Sequence, residues 1–367
     1  DQGRVELAVA ASIDGSAGNG LAIVRESPLS AIVGGAFDGW YEQGSLQAEL
    51  ELLLELGEGA PPPMVELHTR WGDVDLRIEP GNLPVQSLSG EFVYISLAGF
   101  SSEGLTGVLW GRPVEARLQQ QHTSEDGAYR PASSALEVRV ASDVDMADVQ
   151  QWLGLAPLAF ARGTTSANVG VRIAPGAPPV LTVDSDLRGV HLDLPQPWQK
   201  DAADVQPLHI ETPLSGVDRI IDLSLDGQLN LSLDIADGAL RGGSLGLRVV
   251  PSQPQQGLFH ISGHAADLHG EQWLDFVSSY LIEGDLLSAE EAPTQGQSAQ
   301  GEADSAAALR VHVDRLYANR LWLAGRRFEG VEFSLEIDEE NWQVQVDTNW
   351  LRGTAALQRA SGEVMAR

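Results

Sequence analysis

Between Arg219 and Val250 nearly every second residue is aliphatic. Ile221, Leu223 and Leu225 share one parity, followed by Leu229, Leu231, Leu233 and Ile235, and then by Leu245, Leu247 and Val249; Asp, Ser, Asn, Gln and Arg mostly fill the gaps. Successive side chains leave opposite faces of a pleated strand, so this period of two specifies a sheet that is apolar on one face and wet on the other. The turn near Asp226-Gly227 adds register. A two-residue loop would set Leu225 against Gln228 and Leu223 against Asn230. An odd loop from Asp226 to Gln228, or a bulge, sets Leu225 against Leu229 and Leu223 against Leu231, and this is the expected arrangement, since paired residues share a face. The chain offers no large set of helices to cover that face, and what covers it decides the function.

The same alternation recurs along the chain. Val5, Leu7 and Val9 alternate ahead of a Gly-rich patch at Ala17 to Gly20, and Leu46, Ala48, Leu50 and Leu52 alternate with Gln47, Glu49 and Glu51 until three prolines at 61 to 63. Short strands follow at Val65 to Leu67, Val74 to Ile78, Leu88 to Leu97, Gly104 to Leu118 and Ala135 to Ala141, spaced as in a meander. More are expected at Ala167 to Ile173, Pro179 to Asp184, Leu309 to Val313, Leu321 to Leu323, Val331 to Ile337, Trp342 to Val346 and Thr354 to Leu357. Two amphipathic helices interrupt them. Asp145 to Leu153 carries Met146, Val149, Trp152 and Leu153 on one face with Asp145 as N-cap, and Leu268 to about Glu283 carries Trp273, Phe276, Val277, Tyr280 and Leu281. Their openings are similar, with Gln151-Trp152-Leu153 matched by Gln272-Trp273-Leu274, which suggests a diverged repeat of a helix followed by strands. Three sections are expected: 1–144, a β-meander; 145–266, a helix plus strands; and 267–367, a second such unit, in which the Glu-, Gln-, Ser- and Gly-rich stretch 284–308 is a mobile excursion.

Charge and composition exclude several functions. With 52 acidic residues against 23 basic ones the formal charge is −29, a field that repels phosphate backbones and anionic surfaces. The absence of cysteine removes disulfides, thiolate catalysis and Cys-type zinc sites. No apolar run approaches the roughly 20 residues of a membrane-spanning helix, and there is no signal peptide; the chain reads as a piece of something longer, with any anchor outside it.

Candidate chemistry is sparse. Gly242-Gly-Ser244-Leu-Gly246 matches G-x-S-x-G, but a hydrolase elbow needs a strand-to-helix turn in a parallel sheet, and here the motif enters an alternating strand read as antiparallel. His260, His264 and His269 lack an acidic residue at a metal-binding spacing. Asp184/Asp186 and Asp143/Asp145 are fragments of calcium loops without the closing glutamate. Asn230-Leu-Ser232 fits a glycosylation acceptor but lies inside a strand. No phosphate-cradling loop or dinucleotide fingerprint is present. The residues therefore point away from an enzyme, from a metal site and from a cofactor.

Two stretches carry a resemblance. Ser185-Asp-Leu187-Arg-Gly189-Val-His-Leu-Asp-Leu194-Pro195-Gln-Pro197-Trp-Gln-Lys200 resembles a signature of AsmA-like proteins of the YhdP type, with Trp198 standing where the family tends to have Leu. Leu83-Pro84 through Leu88-Ser-Gly90 to Gly107-Val-Leu-Trp-Gly111-Arg-Pro113-Val114 is similar to another unit of that family. The resemblance implies a mainly β fold: a long antiparallel, twisted sheet curled into a U-shaped groove lined by aliphatic side chains, with a few short helices. It implies a periplasmic section of a conduit moving phospholipid between the inner and outer membranes, anchored to the inner membrane by a segment outside this chain. At about 4.8 Å per strand, roughly 20 to 25 strands would make a trough on the order of 100 Å long. The expected acyl-chain lining is Leu223, Leu225, Leu229, Leu231, Leu233, Leu245, Leu247 and Val249. Partners would be phospholipid acyl chains and both membranes. The alternative is a closed β-sandwich or solenoid, an envelope scaffold or adhesin whose aliphatic face is buried against protein.

Overall fold

The computed structural model describes residues 5–26, 40–57, 60–61, 63–78, 83–96, 98–120, 135–153, 160–174, 177–214, 219–236, 239–277, 309–337, 341–348, 352–358 and 364–366. The chain is mainly β, with three short helices among the described residues. It divides into two compact units, the first Asp1–Asp143 with Ala167–Val183 and Pro213–Gly216, the second Val144–Ser166, Asp184–Thr212 and Val217–Arg367.

The first unit is a meander. Strands β1 (Val5–Ser16), β2 (Trp40–Leu56), β3 (Met64–Ile78), β4 (Leu83–Ile95), β5 (Gly99–Leu109), β6 (Arg112–Gln120) and β7 (Leu136–Asp145) pair in sequence order, every pair antiparallel. No pairing of β1 with β7 closes it among the described residues. The strands are longer than the alternation alone suggests. Val65–Leu67 and Val74–Ile78 belong to one strand, β3, in which a bulge at Asp73 (φ 52°) restores the parity, whereas Gly104–Leu118 is split by a hairpin at Trp110 (φ 49°) and Gly111 (φ 75°).

The Gly-rich patch after β1 is a helix, α1 (Ala17–Glu26). Ser16 caps it by accepting the Asn19 N–H at 3.2 Å. Glycine weakens a helix interior, which hid this one. Its reason is packing: a Cβ on Gly20 would lie 2.1 Å from Leu46 Cδ2 on β2.

The second unit begins in α2 (Met146–Leu153), where Asp145 Oδ1 accepts the Ala147 N–H at 3.0 Å as the expected cap. Strands β8 (Ala161–Ile173) and β9 (Val180–Ser185) run through both units, and the start of β8 pairs antiparallel with the short β10 (Val190–Leu192). A further series follows: β11 (Leu208–Pro213), β12 (Arg219–Leu225), β13 (Leu229–Ala236), β14 (Ala239–Leu247), β15 (Leu258–His269), helix α3 (Gly270–Val277), then β16 (Arg310–Leu323), β17 (Arg326–Ile337), β18 (Asn341–Asp347), β19 (Arg352–Gln358) and β20 (Val364–Ala366). Neighbours in this series pair in order, and again it does not close among the described residues.

Two features depart from expectation. The sheet is mixed, because β15 lies parallel to both β14 and β16. The second helix starts at Gly270, Leu268 and His269 being the last residues of β15. Alternation reports which face a residue occupies, not the direction of the neighbouring strand, so the sequence pattern carries no sign of the parallel pairs. The 284–308 stretch lies outside the described residues, as do Tyr280 and Leu281.

Candidate functional site

In the first unit the apolar parity of each strand meets that of the next. Leu7 pairs with Leu54, Val9 with Leu52 and Ala11 with Leu50; Leu52 and Leu50 in turn face Val65 and Leu67; the row continues through Tyr94 and Phe100. The result is one apolar face across the meander. At one end α1 covers it, its Ala17 and Leu21 buried in a cluster with Leu46, Trp71, Val74, Leu76 and Leu88. At the other end β1 and β2 leave it open, with Leu7 44% exposed, Val9 37% and Leu56 47%, whereas Tyr94 and Phe100 further across the sheet are buried. Burial raises the Tyr94 phenol above its ordinary pKa, with the Ser96 hydroxyl opposing.

In the second unit the expected register is found. Leu225 pairs with Leu229 and Leu223 with Leu231 across a turn of Asp226 (φ 51°), Gly227 and Gln228; on the far side of β13, Leu229 meets Leu247 and Leu231 meets Leu245. Leu225, Leu229, Leu245 and Leu247, at the Asp226 end, are buried, Leu247 at 2% exposure; Leu223, Leu231 and Leu233 are half-buried. Leu233 faces Gly243, a position where a Cβ would strike the Phe259 ring at 2.6 Å. Val249 falls beyond β14, is 41% exposed, and follows Arg248 (φ 58°), which turns the chain out of the strand.

The buried leucines share one cluster with Leu187, Val190, Leu192 and Trp198, all from the Ser185–Lys200 stretch. That stretch is a knot around the chain's one lysine. Lys200 Nζ donates to the carbonyls of Leu187 (2.7 Å), Val190 (2.7 Å) and Asp201 (3.0 Å), so all three of its protons are used. Burial pushes the ammonium below its usual pKa, while Asp204, Asp186 and Asp201 pull it back. Ser185 Oγ accepts the Leu187 N–H, and Gly189 (φ 95°) passes so close to β8 that a Cβ would lie 2.1 Å from Thr164 O. Helix α3 pins the same stretch: Trp273 stacks edge-on against Trp198 with centroids 5.3 Å apart, Trp273 Nε1 donates to Gln196 O, and Gln196 N donates to Gln272 Oε1. The second family-like stretch is also architectural. A Cβ on Gly90 would lie 2.6 Å from Gly104 O, and Gly107 pairs with Val114.

The G-x-S-x-G motif lies mid-strand in β14 on the face opposite Leu245 and Leu247. The connection Arg248–Gly257 must return the length of β14 to start a parallel strand, and it does so as a strap across that face. A Cβ on Gly242 would meet Gln255 O at 2.2 Å and one on Gly246 would meet Val249 O at 2.4 Å. Ser244, 0% exposed, lies beneath the strap with its Oγ 2.9 Å from Ser252 Oγ. Small residues are needed there for close approach; no strand-to-helix elbow exists at Ser244.

The remaining candidates have structural partners. Asp184 pairs with His209 at 2.7 Å, Asp186 accepts the Arg188 N–H, and Asp145 caps α2. The Asn230 side chain joins Ser224 and Val249 O. His264 bonds Asn319 and lies against Tyr317, and His269 stacks on Trp322. No group of three or more His, Cys, Asp or Glu side chains able to hold a metal ion is present among the described residues. Nor is any helix among them long and apolar enough to cross a membrane.

The geometry thus provides apolar sheet faces covered at one end by a helix or a knotted segment. No curated protein and no solved structure matches the sequence. The family described as YhdP protein matches residues 2–367, both of the family-like stretches included, and the chain belongs to that family.

Proposed function

We propose that the chain is a section of a periplasmic conduit that carries phospholipid between the inner and outer membranes, its apolar faces forming a U-shaped groove for acyl chains. One observation carries this reading: in the first unit an aliphatic row is complete in register yet left 37–47% exposed at Leu7, Val9 and Leu56. Covering a Leu or Val side chain is worth about 1.5–3 kcal/mol, so an uncovered row favours an apolar occupant. Hydrocarbon sliding along such a row exchanges one apolar contact for another, which suits passage rather than tight capture. The second unit has its own lining, Leu223, Leu231 and Leu233, which Leu225, Leu229, Leu245 and Leu247 continue towards the end covered by the Ser185–Lys200 segment. Headgroups stay at the mouth of the groove, away from the aliphatic face. The role is passive and requires no catalytic residue or cofactor.

Mass spectrometry of lipid extracted from the purified protein tests the reading. Phospholipid is expected at stoichiometric amounts, reduced at least severalfold by Leu7→Asp with Val9→Asp and by Leu231→Asp. A lipid-free protein, or lipid retained in full by folded variants, overturns it in favour of a scaffold whose faces are covered by protein.

A further inference from the structure

Four side chains on the back of the second unit stand in one row across four strands. Ser244 on β14 is registered with His260 on β15, His260 with His312 on β16, and His312 with Glu336 on β17. Ser252, from the strap, joins the row at its β14 end, 2.9 Å from Ser244 Oγ and 3.1 Å from His260 Nδ1. The two imidazoles stack with centroids 5.8 Å apart and planes 22° from parallel, and His312 Nδ1 lies 3.2 Å from Glu336 Oε1. We propose that the His260–His312 pair is an acid-sensitive latch holding the Arg248–Gly257 strap on the back of β14.

The groups around His260 set the sign. On β14 it meets neutral Ser244, and from the strap neutral Ser252. Across β16 it faces His312 and the Asp314 carboxylate, and Arg310 stands two residues before His312. Glu336 is spent on His312, and the His312 ring in turn opposes a positive charge on His260. Burial and His312 both hold His260 below the ordinary histidine pKa, with Asp314 opposing. In acid a proton on His260 places positive charge in the stack against His312, beside a strap whose ties to Ser244 and to the Arg241 and Arg310 backbone are neutral hydrogen bonds. Leu245 and Leu247 occupy the opposite face of the same strand. A released strap loosens them, and on the lipid reading it loosens the groove wall; this last consequence rests on that reading, the latch itself does not.

Hydrogen exchange followed by mass spectrometry at about pH 7.5 and about pH 5.5, corrected for intrinsic rates, reads the latch directly. Peptides covering 242–262 should lose protection by at least about threefold at the lower pH, while β2–β4 peptides do not change. His260→Gln keeps a hydrogen-bonding partner for Ser252 and should abolish the response; His312→Gln removes the opposing charge and should at least halve it, which keeps the test open if one variant folds poorly. An unchanged wild-type protein, or a full acid response in folded His260→Gln, overturns the latch. Lipid content measured on the same samples separates the two ideas: protein without lipid at either pH refutes the groove and leaves the exchange result standing.

Discussion

The two units treat the same kind of apolar face differently. In the meander of β1 to β7, one helix covers the Leu46–Trp71–Val74 end, and Leu7, Val9 and Leu56 stay exposed at the other. In the series from β11 to β20, the leucines at the Asp226 end belong to a buried cluster with the Ser185–Lys200 segment, which α3 holds by Trp273; Leu223, Leu231 and Leu233 beyond them are half-buried, while Phe259, Val311 and Ile337, in register with Leu233, are buried in the same cluster. Each face therefore mixes residues whose burial supports the fold with partly exposed residues that contribute less to it: Leu7, Val9 and Leu56 in the first unit, Leu223, Leu231 and Leu233 in the second. The leucines look equivalent in sequence; their energetic roles are not.

Substitutions break this comparison in order of size. Leu247→Asp, at the covered end, buries a charge without a partner and is expected to cost more than about 4 kcal/mol, seen as unfolding of the second unit in urea. Lys200→Met takes the ammonium from three carbonyls, of which Leu187 O keeps only the Val190 N–H, and should cost about 3 kcal/mol and loosen the Ser185–Lys200 segment, raising proteolysis around Gln196. Gly20→Val forces α1 off Leu46 and should destabilise the first unit by about 2 kcal/mol, with new exposure of Trp71 read by fluorescence quenching. Acid gives a smaller effect. His260 has a folded pKa below its unfolded value near 6.5, so the unfolded chain binds the proton more readily. Stability is then lost progressively as pH falls from about 6.5 to the folded pKa, and the urea midpoint of His260→Gln should lack that slope. Leu7→Asp, at the open end, should change stability by about 0.5 kcal/mol or less and still remove bound lipid. Equal destabilisation by Leu7→Asp and Leu247→Asp would erase the distinction between the two ends.

Much of the strand content was readable because a period of two has one physical cause, the alternation of side chains across a pleat. The pairing of Leu223 with Leu231 and Leu225 with Leu229 followed from requiring paired residues to share a face. The Asp145 cap was readable as local chemistry between a carboxylate and the first N–H groups of a helix. Helix α1 was not, because Gly18 and Gly20 are poor helix formers and Gly20 is chosen for Leu46, 26 positions away in the chain. The purpose of the glycines in the G-x-S-x-G motif was hidden for the same reason: they answer to the Arg248–Gly257 strap.

By itself, the sequence determined that this protein is a mainly β chain with one apolar and one polar parity on most strands, acidic, without cysteine, and built on stretches typical of its family. Tertiary structure decided the direction of β15, the burial of Lys200 among three carbonyls, the row from Ser244 to Glu336, and which leucines are covered. The division has a physical origin. Alternation and capping act between residues near in the chain, so composition and spacing express them. Parallel pairing, close glycine contacts and cover for an apolar face arise between segments tens of residues apart, and only the folded chain brings those together.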